Sequence, residues 1–336
     1  MALPAAVPMS EATLQTLDVN GIRMRVATQG TGPLVILCHG FPESWHSWRH
    51  QLKALAGAGW RAVAPDMRGY GGTDAPADPQ AYTMLHHVAD MVDLVKVLGE
   101  REAVIVGHDW GAPAAWHAAL LRPDIFRAVA GLSVPYSPPS GIDLLTALER
   151  QGVSTFYMQY FQTPGVAEAE LEADVEATIR RVTFSMSGDG PGRIVAGILP
   201  PGASFLDATV EPETLPDWLP AGDIAYVAGE FRRTGFRGGL NWYRAVRRSN
   251  ELLAAWKGCV IRQPSLFIAG TLDDVMRFPG AEARLKKLPE VLPDLRGCHL
   301  LDDAGHWIQR ERASAVNNLL IDFLKHVGPG RFGQHG

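Results

Sequence analysis

The chain has 336 residues, 46% of them hydrophobic and 20% charged, with a formal net charge of −5. That size and apolar content support one large domain with an insertion, or two domains. The acidic balance argues against nucleic acid and anionic membrane surfaces as partners, and no apolar run approaches the length of a membrane span.

In chain order, the first residues, Met1 to Pro8, lack the basic region and apolar core of a secretory leader. Short apolar runs predict strands over 22–28, 34–38 and 61–64, with helical patterns over 45–56 and 85–98. A further strand is predicted over 103–106 and a helix over 112–121, then strands over 128–134, 265–269 and 298–301. Strands alternating with helices imply a mostly parallel sheet covered on both faces. From about residue 137 the rhythm changes: 140–246 reads as helices and loops without buried strands, including an acidic amphipathic helix over 171–181. A stretch rich in Gly and Pro over 187–220 is too long for a plain connector. The expected organisation is a core from 1–138 and 249–336, with 139–248 inserted as a helical cap. Cys38, Cys259 and Cys298 are few, odd in number and far apart, which fits reduced thiols in a cytoplasmic protein. Each sits in or beside an apolar run, so all three are expected to pack in the core.

Gly107-His108-Asp109-Trp110-Gly111 follows the strand at 103–106 and opens the helix at 112–121. The spacing is that of a nucleophile elbow, G-x-Nu-x-G, with aspartate at the nucleophile position. An ordinary Asp N-cap gives the same local pattern. The glycines let the turn pack tightly, so Asp109 can take strained dihedrals with its side chain exposed near a helix N-terminus. Asp303-Ala304-Gly305-His306-Trp307 follows the last strand and offers His306 as base. The acid that orients it is expected after the strand at 265–269, where Asp273 and Asp274 are adjacent; Asp273 is preferred, but spacing alone does not choose. His39-Gly40-Phe41-Pro42 follows the strand at 34–38, where backbone N–H groups of Phe41 and Trp110 would form an oxyanion hole and Phe41-Pro42 is a candidate cis peptide. His46 and His50 stand at i, i+4 without the glutamate of a zinc protease, and Gly69 to Gly72 opens no dinucleotide-binding helix. Neither metal nor cofactor is expected.

These motifs resemble those of epoxide hydrolases of the α/β-hydrolase fold, most of all the soluble ones, over nearly the whole chain. The resemblance rests on His39-Gly40-Phe41-Pro42-Glu43-Ser44-Trp45, Asp66-Met67-Arg68-Gly69-Tyr70-Gly71 and the elbow. Two stretches in the cap, from Tyr157 to Glu168 and from Gly235 to Arg244, are more specific. It implies Asp109 as nucleophile, Asp273 and His306 as acid and base, and Tyr157 and Tyr243 as the hydroxyls that hold the epoxide oxygen. Tyr160 is a nearby competitor for the first hydroxyl. Ala112 departs from the family, where glycine is frequent, and so does Asp274, where an aromatic is common. Phe41, Trp110, Phe161, Met186, Leu206 and Trp307 are candidate pocket residues. The partners implied are a small-molecule epoxide and water, with no nucleic acid or membrane; a homodimer is compatible with the sequence.

The chemistry suits these residue types. Opening an epoxide releases an alkoxide whose conjugate acid has a pKa near that of water, about 15.7. Tyrosine lies near 10, so proton transfer from a phenol gains roughly 5 units, or about 7–8 kcal/mol. Aspartate gives a hydrolysable ester, whereas serine would leave an inert ether. Haloalkane or haloacid dehalogenation uses the same Asp-His-Asp set and is the main rival. Paired tyrosines favour an oxygen leaving group, and no arginine follows Asp109 to hold a haloacid. A non-catalytic member of the fold would be expected to lose the acid or base.

Overall fold

The computed structural model of the chain describes residues 11–191, 197–328 and 330. Met1 to Pro8, and 192–196 within the Gly- and Pro-rich stretch, lie outside the described residues. One sheet holds β1 (Thr13–Val19), β2 (Ile22–Gln29), β3 (Leu34–Cys38), β4 (Arg61–Pro65), β5 (Ala103–His108), β6 (Phe126–Leu132), β7 (Ser265–Gly270) and β8 (Leu295–Leu301). Their order is β1-β2-β4-β3-β5-β6-β7-β8. The β1–β2 and β2–β4 pairs are antiparallel and the others parallel.

Helices α1 (Arg49–Gly57), α2 (Met84–Val97) and α3 (Gly111–Leu121) alternate with the first strands. Between β6 and β7 the described chain is helical: α4 (Leu144–Arg150), α5 (Tyr157–Tyr160), α6 (Val166–Ala173), α7 (Val175–Ser185), α8 (Ala221–Thr234), α9 (Arg237–Arg244) and α10 (Val246–Leu252). It adds no strand to the sheet, only an isolated bridge from Phe156 to Ile198. Then come α11 (Ala281–Val291), α12 (Ile308–Glu311) and α13 (Ala313–Val327). Among the described residues, no helix is long and apolar enough to cross a membrane.

Central strands are apolar throughout because both faces are covered. Ile36, Ile105, Val129 and Phe267 share one core with Met91 and Leu94 of α2 and Ala115 of α3. Val35, Leu37, Val106 and Ile268 point the other way, against Leu52 and Leu55 of α1 and Leu320 and Phe323 of α13. This period-two split follows from the strand pleat.

Four expectations change. The strand β1 was not predicted: its burial pattern shows no alternation, since it is an edge strand whose side chains mostly face solvent. The helix expected over 171–181 is two helices, broken at Asp174, whose extended backbone and side chain cap α7 at Ala177 N (3.0 Å). β6 ends at Leu132, because Ser133 turns the chain at φ +69°. Cys298 is exposed instead of packed, because β8 is the opposite edge and alternates its residues toward solvent.

Asp109 follows β5, Asp273 follows β7, and His306 follows β8, so the parallel strands deliver all three to one edge of the sheet. Ligands bind at this carboxyl end in open α/β sheets. The turn after β5 has no room for side chains at either glycine. A Cβ on Gly107 would lie 1.9 Å from Gly111 O, and one on Gly111 would lie 2.0 Å from Cys38 O. Gly111→Ala is expected to lower the unfolding free energy by about 1–3 kcal/mol or more by overpacking. Urea unfolding of the purified variant checks this; a wild-type midpoint would contradict the packing described.

Candidate active site

Asp109 has φ +50°, a conformation that costs a non-glycine residue about 1–3 kcal/mol. Trp110, not Asp109, occupies the N-cap position of α3. The Asp109 carboxylate is directed across the turn. Its Oδ1 accepts the Phe41 N–H at 2.7 Å, and its Oδ2 lies 3.4 Å from His306 Nε2. Gly40 makes this approach feasible, since a Cβ there would sit 2.1 Å from Asp109 Oδ1. The Phe41-Pro42 peptide is cis. The Trp110 N–H stands at the start of α3, where an N–H has no partner within the helix.

His306 is buried. Its Nδ1 lies 3.1 Å from Asp273 Oδ1, and Asp273 also caps the following turn by accepting the Val275 N–H at 3.0 Å. Asp274 turns away, with Oδ1 3.5 Å from Arg277 Nη1. Burial by itself would depress the imidazole, but the charge of Asp273, then Asp109, more than reverses this and raises His306 well above its ordinary value. Burial likewise opposes charge on Asp273, and His306 overcomes it, holding the carboxylate below its usual range.

Several residues in this arrangement carried no sequence signal for it. Ser133 Oγ lies 3.0 Å from His306 Nδ1, the same nitrogen that faces Asp273. His108 Nε2–H donates to the His306 carbonyl at 2.7 Å, and its Nδ1 faces Glu43 Oε2 at 2.9 Å. Glu43 also accepts from Gly40 N–H at 3.1 Å and from Gln309 at 3.0 Å. One buried carboxylate therefore ties the turn bearing Phe41 to the loop bearing His306. A second, Glu311, accepts the N–H groups of Gly188, Gly305 and Trp307 at 2.8–2.9 Å. The meetings of Glu43 with Gln309, and of Glu311 with Gly188, span too much sequence for spacing to show them.

Tyr157 on α5 and Tyr243 on α9 have ring centroids 5.9 Å apart and line one chamber with Asp109, Phe41, Phe161 and Met186. The chamber holds about 20 Å³, room for little more than one water. Tyr160 points elsewhere, donating to Glu170 at 2.9 Å. A second cavity of about 300 Å³ shares Asp109 and Tyr157 and is lined by Trp110. Two expected pocket residues line neither space. Trp307 is fully buried, with its indole N–H donating to Thr183 O at 2.7 Å and its ring edge-on to His306. Leu206 sits in a short turn where its neighbour Phe205 faces the chamber instead. Both phenols are pushed upward, first by burial and then by neighbouring groups that include the Asp109 charge. The margin of roughly 5 units drawn from reference values is therefore an upper bound while Asp109 is ionised.

Residues 33–313 match the alpha/beta hydrolase fold family. Epoxide hydrolase A of Mycobacterium tuberculosis is 44% identical over 320 residues, covering 94% of this chain and 98% of its own. Among solved structures, an epoxide hydrolase from an endophytic Streptomyces has 47% identity and a TM-score of 0.90, covering 95% of this chain and 96% of its own. Potato epoxide hydrolase I has 34% identity and a TM-score of 0.86, covering 94% and 100%.

Asp274 borders the chamber, and its carboxyl is pushed up to about 6, chiefly by burial; Asp273 adds to this, while Arg277 and His306 oppose it. Near pH 5 the folded protein keeps a proton that the unfolded chain has released. The group therefore subtracts stability as pH rises from about 4 to about 6, and the full penalty stands above that. Asp274→Asn is expected to raise the unfolding free energy by about 1–3 kcal/mol at about pH 7.5, a gain that vanishes toward about pH 4. Urea midpoints across this range test it, and a gain that grows toward acid would contradict the direction.

Proposed function

The chain belongs to the epoxide hydrolases of the α/β-hydrolase fold family, and from that membership we propose that it converts epoxides to vicinal diols through an ester on Asp109. One observation carries this reading. A carboxylate and two phenols share a single chamber, with a buried imidazole on the carboxylate's far side. We assign the helices of 139–248 the part of a cap that brings Tyr157 and Tyr243 over the sheet edge.

In the first step an Asp109 oxygen attacks an epoxide carbon from the side opposite the ring oxygen. The carbon–oxygen ring bond breaks, and the oxygen takes a proton from Tyr157 or Tyr243. In the second step His306 removes a proton from water, which attacks the carbonyl carbon of the Asp109 ester. The Phe41 and Trp110 N–H groups hold the oxyanion, each contributing about 3–4 kcal/mol. The acyl–oxygen bond breaks, the departing alkoxide takes the proton of the new Asp109 carboxyl, and the diol leaves with Asp109 a carboxylate and His306 an imidazolium again.

The site's electrostatics order these steps. While Asp109 is ionised, His306 is held protonated by two carboxylates and is a poor base. Esterification removes the Asp109 charge. The imidazolium then keeps only Asp273 and its hold on its proton weakens; passing that proton to the phenolate left by ring opening restores the phenol and leaves His306 a base. The same loss of charge removes part of what held the phenols above their ordinary value. A halide leaving group would have no use for two hydroxyls, which sets dehalogenation second.

His306→Gln is expected to form the ester but hydrolyse it slowly. After exposure to styrene oxide, intact mass should rise by one epoxide, and peptide mapping should place it on Asp109. An adduct elsewhere, or none, would remove the covalent step. Tyr157→Phe combined with Tyr243→Phe should cut the rate of ester formation by at least about 10²-fold, the scale of general-acid assistance. Rapid-quench measurement of that step checks it, and an unaltered rate would strip both tyrosines of their role.

A further inference from the structure

Among the described residues that line the small chamber, four carry polar side chains: Asp109, Tyr157, Tyr243 and Asp274. The first three have parts in the reaction proposed above. Asp274 has none. Its neighbour Asp273 orients His306, whereas Asp274 shares the chamber wall with apolar side chains such as Met186, Phe205 and Phe278.

Asp274 is 5% exposed, yet little satisfies its carboxylate. Oδ1 is buried and accepts no hydrogen bond. Its ion pair with Arg277 is long, at 3.5 Å, and that arginine side chain is 44% exposed, so water weakens the pair. Glu43 and Glu311 are buried too, but Glu43 meets Gly40 N–H, His108 and Gln309, and Glu311 accepts three backbone N–H groups. The raised proton affinity of Asp274, due first to burial, is the same unmet demand expressed toward a proton.

A buried carboxyl without donors is an unfavourable term that a donor on a ligand offsets. The donor has to suit the space. The chamber holds about 20 Å³, enough for a group the size of one hydroxyl. An ammonium would need acceptors for three N–H groups inside mostly apolar walls. A hydroxyl needs less. It donates to a carboxylate and accepts from a carboxylic acid, so it suits Asp274 in either protonation state.

We propose that Asp274 determines specificity by bonding a substrate hydroxyl, so that this protein favours epoxy alcohols with a hydroxymethyl arm on the ring. The epoxide half rests on the reading above; the hydroxyl site does not. The ring stands at Asp109 and Tyr157, which border both cavities, and the arm enters the smaller one. The hydroxyl takes no part in bond making.

The test compares trans-3-phenylglycidol with trans-β-methylstyrene oxide, which has hydrogen in place of the hydroxyl. The ratio of their kcat/KM values, alcohol over hydrocarbon, should be about tenfold lower in Asp274→Leu than in the wild type, the scale of one hydrogen bond to a charged group. Asp274→Asn, whose amide oxygen still accepts, should keep part of the preference. In parallel, NMR titration with cinnamyl alcohol, which carries no epoxide, should give a Kd about tenfold weaker in Asp274→Leu. Turnover of both epoxides with the same ratio in wild type and Asp274→Leu overturns the hydroxyl site and leaves the epoxide reading standing. No turnover of either epoxide, with cinnamyl alcohol binding that still requires Asp274, supports the hydroxyl site and sinks the epoxide reading.

Discussion

The interaction on which the site depends is an imidazole held between two carboxylates out of contact with water. His306 lies 3.1 Å from Asp273 and 3.4 Å from Asp109, with Asp273 and His306 almost wholly buried. Removing one partner of such a group leaves an uncompensated charge, at a cost of about 3–5 kcal/mol. Each member is thus held in place by the others as well as by its own loop. The backbone is arranged to keep them there: Glu43 fixes the turn before Asp109's partner Phe41, and Glu311 fixes the loop around His306.

Much of this was legible in the sequence, for identifiable reasons. Strands such as β3 and β5 are covered on both faces, so they read as unbroken apolar runs. The elbow was readable because the glycines flanking Asp109 are demanded by backbone packing, which leaves a mark at fixed spacing. Asp273 was preferred over Asp274 from the sequence, but spacing alone left the choice open. The two adjacent residues begin one turn, and only the fold decides which faces the histidine. Tyr157 and Tyr160 differ in the same way: both belong to the four-residue helix α5, yet one faces Asp109's chamber and the other Glu170.

What sequence could not supply was partnership across the chain. Ser133 and His306 are brought together by β6 and β8, and His108 meets Glu43 across the β3–β5 pair. No periodicity encodes such meetings. Leu206 and Trp307, expected at the pocket, line neither cavity for the converse reason. Nearness in sequence to site residues does not fix where a side chain points, and both are turned toward packing instead.

The two hydrogen-bonded strands β6 and β7 flank the whole helical excursion, so the chain leaves the sheet and returns one strand over. The platform of strands is therefore complete without anything in between. Outside the helices that carry Tyr157 and Tyr243, and outside Thr183, Met186 and Gly188, which bond to the loop around His306, that excursion is open to lengthening, shortening and resculpting while the sheet underneath stays intact.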